Sequence, residues 1–353
     1  MPRPLLWDAV MSDASTDQTS TDDWPGLLTR LFSWILLAAI GVFLVNKVLS
    51  LMFDWPGISP VFFAKDPSAP SWIQLSVYVA GFVGAVVYVL LSRERSLRAD
   101  GLLISDISAF LVRVAFWIVL LVGVGDMIVS FVRVEGWLPV LVGEDIARSL
   151  GRPSYRGIYV HCPLMILSVV IASFSRSLGF IWLTLLIVVA ELAIVFTRFI
   201  FSYEQAFMGD LVRFWYGALF LFASAYTLLE EGHVRVDVFY STFKTKRKGL
   251  VNAVGSIVLG LSMSWTIMIV GMGHKRAIIN MPVVNFEVSQ SGYGMYVKYL
   301  MAAFLGVFAV TMAVQFVSYF LESVADYRGE PGKRKPASST HSELLETTDS
   351  AAA

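Results

Sequence analysis

The amino-acid sequence predicts an all-α integral membrane protein with about eight transmembrane helices, and three observations support that prediction. Of its 353 residues, 56% are hydrophobic and only 15% are charged, which is more apolar surface than the polar shell of a soluble domain can cover. The apolar residues are gathered into runs of the roughly 20 residues that a membrane-spanning helix needs. Those runs are continuous and do not alternate over about ten residues, which selects helices over barrel strands.

Residues 1–26, rich in Asp, Ser and Thr, predict a disordered tail. They lack a basic start, an apolar core and a small-residue cleavage site, so they do not read as a cleaved signal peptide. The first span runs from Leu27 to Phe53 and stops at Asp54-Trp55-Pro56-Gly57, a turn with an interface aromatic. A proline-containing loop leads to the second span, Trp72 to Ser92, followed at once by Arg93, Arg95 and Arg98. The third, Leu103 to Val132, contains Arg113 and Asp126. Trp137 to Arg156, with Pro139, Gly143, Gly151 and Pro153, reads as a short interfacial helix plus loop. Four more spans follow at Gly157–Phe174, Phe180–Phe201, Leu211–Leu229 and Gly249–Met272, and the eighth is Tyr296–Phe320. Residues 328–353 predict a disordered tail with Lys333-Arg334-Lys335.

Cytoplasmic loops have an excess of Lys and Arg. Placing both termini in the cytoplasm puts Arg93 to Arg98, Arg176, Arg235 to Lys248 and Arg328 to Lys335 on that side. Two stretches oppose this orientation: the arginines between Arg133 and Arg156, partly offset by Glu135, Glu144 and Asp145, and His274-Lys275-Arg276. The single cysteine, Cys162, excludes an internal disulfide and a cysteine-based metal cage.

An ionisable side chain at bilayer depth costs about 2.5–3.5 kcal/mol, so each one calls for a partner or a function. Glu191 lies in the middle of the fifth span and Arg198 seven residues on, nearly two turns, so both point to one face roughly 10 Å apart. Asp126 and Arg133 repeat this spacing in the third span. Glu191 reads either as a proton or cation site or as a polar contact between helices. Arg198, Glu204, Asp210 and Arg213 flank the connection between spans five and six, where pairing would lock the hairpin. Arg113 needs Asp126, another helix's carboxylate or a thinned interface. Among four histidines only His161 falls inside a span; it reads as an interfacial residue, and a haem site would want a second histidine at matched depth. No phosphate loop, nucleophile motif or metal-spaced cluster is present, so no catalytic residue, cofactor site or metal site is assigned.

The chain's most distinctive stretch is Glu230-Glu231-Gly232-His233-Val234-Arg235-Val236-Asp237-Val238-Phe239-Tyr240, a charged hinge between two apolar spans. Extended, it puts His233, Arg235 and Asp237 on one side and the valines on the other; helical, it pairs His233 with Asp237 at i, i+4. It is either a plain cytosolic loop or a bracing and docking element. Gly232-His233-Val234-Arg235-Val236-Asp237, preceded by Ala225-Tyr226 and Glu230-Glu231, resembles the signature of the small membrane subunit of tripartite ATP-independent periplasmic (TRAP) transporters. The resemblance runs from about Gly179 to Phe320. It includes Arg198-Phe199, like the family's arginine and aromatic closing its first helix, and Asp210-Leu211-Val212-Arg213, like its acidic-acidic-x-x-Arg segment, with Gly209 at the first acidic position.

That resemblance implies a non-catalytic scaffold of four helices, residues 179–320, for a large permease subunit. It further implies uptake of a small organic solute, expected to be an organic acid, driven by an ion gradient, commonly sodium. A periplasmic binding protein would deliver the solute, so it is an indirect partner. The location implied is the bacterial inner membrane, with lipids as neighbours and no nucleic acid. Glu230, Glu231, Gly232, His233, Arg235 and Asp237 become the expected assembly interface, and Arg113, Asp126, Glu191, Arg198, Asp210 and Arg213 the expected intramembrane contacts. Residues 27–174 form an N-terminal extension of four spans beyond the usual subunit. The alternatives weighed are the membrane anchor of a respiratory oxidoreductase and a self-sufficient secondary transporter.

Overall fold

A computed structural model describes residues 23–175, 179–203, 205–229, 238–289 and 294–333. The described residues form helices, turns and loops with no strand, and eight of the helices are long and apolar enough to cross a membrane. They are α1 (Trp24–Met52), α2 (Ala69–Leu91), α3 (Leu97–Val134), α4 (Pro153–Phe174), α5 (Phe180–Phe201), α6 (Ala206–Leu229), α7 (Thr245–Met272) and α8 (Lys298–Arg328).

Every expected span has its helix, and the ends differ for physical reasons. α1 begins at Trp24, inside the tail expected to reach residue 26: the Asp23 carboxylate accepts the Gly26 N–H at 3.2 Å, and Pro25 occupies the first turn, where its missing N–H costs nothing. α3 starts at Leu97, before the apolar run, because Asp100 in its first turn is ion-paired by Arg30 at 2.7 Å and by Arg95 at 3.0 Å. α8 continues past Phe320 to Arg328, because Arg98 pairs with Glu322 at 2.8 Å and Asp326 at 2.9 Å.

Trp137–Arg156, expected as one interfacial helix plus loop, contains the short helices Leu138–Val142 and Glu144–Leu150. Its last residues, Pro153–Arg156, are already the first turn of α4. The next turn of α4, Gly157–His161, is a π turn. Pro163 accounts for it: with no N–H to give and a ring that clashes with the carbonyl four residues back, it breaks the i→i−4 ladder there.

The chain divides into two compact units. One holds the described residues within Met1–Ser105, Val234–Leu261 and Val314–Ala353, the other those within Asp106–His233 and Ser262–Ala313. In the first, α1 lies along α2 and the Arg30–Asp100 pair is buried between 3% and 0% exposed side chains. Trp34 Nε1 donates to the same carboxylate at 2.9 Å, and Arg30 also donates to the Ser92 carbonyl at 2.7 Å. Small residues bring α7 against α8: a Cβ on Gly249 would meet the Ser323 carbonyl and Tyr327 amide at 2.6 Å, and one on Gly260 would meet the Phe316 ring. Asp23 pairs with Arg328, and Ser318 Oγ donates to the Gly101 carbonyl at 2.7 Å.

In the second unit the core is aromatic. Phe304 of α8 packs on Phe214 and Phe222 of α6, with ring centres 5.1 and 5.0 Å apart. Trp215 of α6 reaches the Val119 carbonyl of α3 at 3.3 Å across Gly123, where a Cβ would sit 2.5 Å from the indole nitrogen. α5 buries only a narrow stripe, Leu183, Ile187 and Ala190.

Candidate functional site: a buried charge network

The second unit contains a polar network at the depth of its spans, centred on Asp126 of α3. Asp126, Arg156 and His161 are each 0% exposed. One carboxylate oxygen, Oδ1, accepts from Arg156 Nη1 at 3.0 Å and from His161 Nε2 at 3.1 Å. The other, Oδ2, accepts the Tyr296 backbone N–H at 2.7 Å. A carboxylate is acceptor-only, so His161 bears a proton on Nε2, and its Nδ1 is hydrogen-bonded to the Tyr299 hydroxyl at 2.8 Å.

The π turn is what aims two side chains at one carboxylate. Residues five apart diverge by about 140° around an α-helix, and the wider turn at Gly157–His161 brings Arg156 and His161 back toward a common face. Arg156 is further held by the Leu150 carbonyl at 3.0 Å, by Ser130 Oγ at 3.1 Å and by the face of the Tyr296 ring, 4.1 Å from its guanidinium carbon. The Tyr296 hydroxyl accepts from Arg133 Nη1 and donates to the Gly151 carbonyl at 3.0 Å.

A second carboxylate, Asp210 of α6, accepts the Met295 N–H at 3.1 Å. Asp126 and Asp210 therefore take two successive backbone N–H groups just ahead of α8. They pin the segment that leads into α8, and their negative charge sits near the positive end of the α8 dipole. Each Asp126 oxygen already has a partner, Oδ1 two donors and Oδ2 one. Among the described residues no group of three His, Cys, Asp or Glu could hold a metal.

The residues singled out in the sequence are placed as follows. Asp126 is the hub. Arg113 is half-buried over the Phe110 ring, 5.8 Å from its centre, and Asp126 serves Arg156 in its stead. Arg133 shares the face of Asp126, as the spacing of seven requires, and both converge on Tyr296. Asp210 faces Arg213 at 3.7 Å. Glu191 and Arg198 are exposed on α5, with no hydrogen bond or ion pair to either among the described residues. Glu204 and all six hinge residues, Glu230, Glu231, Gly232, His233, Arg235 and Asp237, lie outside the described residues.

Two readings are corrected. His161, expected as a satisfied interfacial histidine, is satisfied but wholly buried, between Asp126 and Tyr299. Arg156, expected in an external loop, is a buried residue of α4. Tyr296 and Tyr299 were missed, because a tyrosine at a span end is ordinary in a membrane protein. The available signal was Pro163 two residues after His161, which marks a break in the helix at the one intramembrane histidine.

Residues 185–326 match the family model of tripartite ATP-independent periplasmic transporters, DctQ component. No curated protein and no solved structure matches the chain.

Proposed function

We propose, from the match of residues 185–326 to the family model of the TRAP small membrane component, that the chain is a non-catalytic scaffold subunit for a large permease. The permease would take up a small organic solute, an organic acid by this reading, from a periplasmic binding protein, driven by a sodium or other ion gradient. The family match is the observation that carries this reading, and it lends nothing to the oxidoreductase-anchor alternative. The internal chemistry supports it: within each unit the buried carboxylates Asp100 and Asp126 are spent on arginines of that same unit, as in a brace.

The extension over residues 27–174 is tied into the matched spans and broadens the scaffold. Asp126 and Arg156, from the extension, hold the backbone and ring of Tyr296; Arg98, also from the extension, holds Glu322 and Asp326. The charged hinge, Glu230 to Asp237, is the cytoplasmic contact with the permease, and both termini are cytoplasmic in the inner membrane.

Proteoliposomes provide the test. Uptake driven by an ion gradient should require this chain, the large permease and the loaded binding protein together. Transport by this chain alone, or undiminished transport by the permease without it, would overturn the reading.

A further inference from the structure

Glu191 is the twelfth residue of the 22-residue α5, about 17 Å from its start and so at the middle of the span. It is exposed, and so is Arg198. Neither has a hydrogen bond or ion pair among the described residues, in contrast to Asp126 and Asp210. At about 100° per residue, Glu191 and Arg198 occupy one shoulder of the helix beside the buried Leu183, Ile187 and Ala190 stripe. Thr184, Val188 and Val195 lie along the same shoulder, and Val189 lies on the other flank.

A carboxylate facing hydrocarbon at mid-depth is unstable unless something donates to it. Apart from the two charges and Thr184, whose hydroxyl is taken up by the Phe180 carbonyl, the shoulder is apolar, a surface on which another helix could lie. A second copy of this chain does not suit it. Copies in one membrane share an orientation, so a two-fold axis along the membrane normal would bring Glu191 to Glu191 and Arg198 to Arg198 at matched depths, like charge against like. The complement is a different helix with a lysine, an arginine or another strong donor opposite Glu191 and, roughly two turns away, an acceptor for Arg198.

We propose that the Glu191 shoulder of α5 seats a transmembrane helix of the large permease subunit that presents a basic or donating side chain to Glu191 at mid-bilayer depth. The proposal rests on the scaffold reading above. It gives the α5 carboxylate a partner-binding role and assigns the lipid-depth contact to α5.

The test is capture of the tagged, full-length permease by this chain in nanodiscs, with photo-cross-linking residues placed singly at Thr184, Val195 and Val189. Thr184 and Val195 should cross-link to the permease and Val189 should not. Glu191→Leu should weaken capture roughly threefold to twentyfold, the range of one interhelical polar contact, and Glu191→Gln, which still accepts a hydrogen bond, should weaken it less. Unchanged melting of each variant alone keeps a folding defect from mimicking the loss. If wild-type chain captures the permease but Thr184 and Val195 cross-link only to lipid or to a second copy, or Glu191→Leu captures normally, the shoulder is not the seat and the scaffold reading stands. If wild-type chain does not capture the permease at all, the scaffold reading falls and the proposal with it.

Discussion

The carboxylate of Asp126 accepts the backbone N–H of Tyr296 at 2.7 Å across 170 residues of chain. The contact joins the third span to the approach to the eighth, and the same carboxylate neutralises Arg156 and orients His161. A backbone N–H held at a packed junction needs an acceptor, and a buried arginine needs a counter-ion. One residue meets both needs, so changes at this position are the most informative.

Asp126→Ala should destabilise the protein by about 3–5 kcal/mol, because Arg156 is left as an uncompensated buried charge. Adding Arg156→Met removes that charge, so the double variant should melt above Asp126→Ala alone. Thermal unfolding in detergent or nanodiscs checks this; strictly additive losses would show that the two groups do not act as a pair.

Tyr299→Phe deletes one hydrogen bond to His161 and should cost about 0.5–1.5 kcal/mol. His161→Leu strands both the Tyr299 hydroxyl and one bond to Asp126, so it should cost more, about 1–3 kcal/mol for each group left unsatisfied. The comparison of the two melting temperatures is the readout, and equal losses would mean that the Asp126 contact of His161 contributes nothing.

Gly249→Ala should separate α7 from α8. The added methyl would lie 2.6 Å from the Ser323 carbonyl and the Tyr327 amide, both backbone groups that cannot rotate away. Overpacking of this kind costs about 1–3 kcal/mol, whereas Gly255→Ala, with nothing within 4 Å of its Cβ, should be neutral or slightly stabilising through helix propensity.

Asp23 introduces a pH dependence. Its hydrogen bond from Arg328 holds the carboxyl below the usual carboxylate range. A depressed folded value means that the unfolded state binds more protons in acid, so the pair contributes fully above about pH 4–5 and is lost as pH falls through the folded pKa. The pair is partly solvated, and its contribution is about 0.5 kcal/mol. Asp23→Asn should melt slightly below wild type at neutral pH, with the gap closing in acid.

Arg235→Ala and Asp237→Ala should reduce co-purification with the large permease and leave the order of solute preference unchanged. Competition assays with a panel of solutes check the second half; an altered order would contradict a scaffold that does not touch the solute.

The eight spans were legible in the sequence because a membrane imposes a local rule: a helix that must lie in hydrocarbon needs an uninterrupted apolar run, whatever it packs against. The helix ends at Leu97 and Arg328 were not, since each is stabilised by a partner elsewhere in the chain: Asp100 in the first turn of α3 is paired by Arg30, and Glu322 near the end of α8 is paired by Arg98 across more than 200 residues. Helical periodicity likewise put Asp126 and Arg133 on one face without naming Tyr296 as the object of both. It placed Glu191 and Arg198 on one face in the same way, yet one pair is drawn into a network, with Asp126 buried and Arg133 half-buried, and the other is open on α5. Spacing along a helix is a local property, legible from residue numbers. Which charge is answered within the chain depends on what tertiary packing brings to within 3 Å, and that was decided by Pro163 opening a π turn and by α3, α4 and the approach to α8 meeting at Asp126.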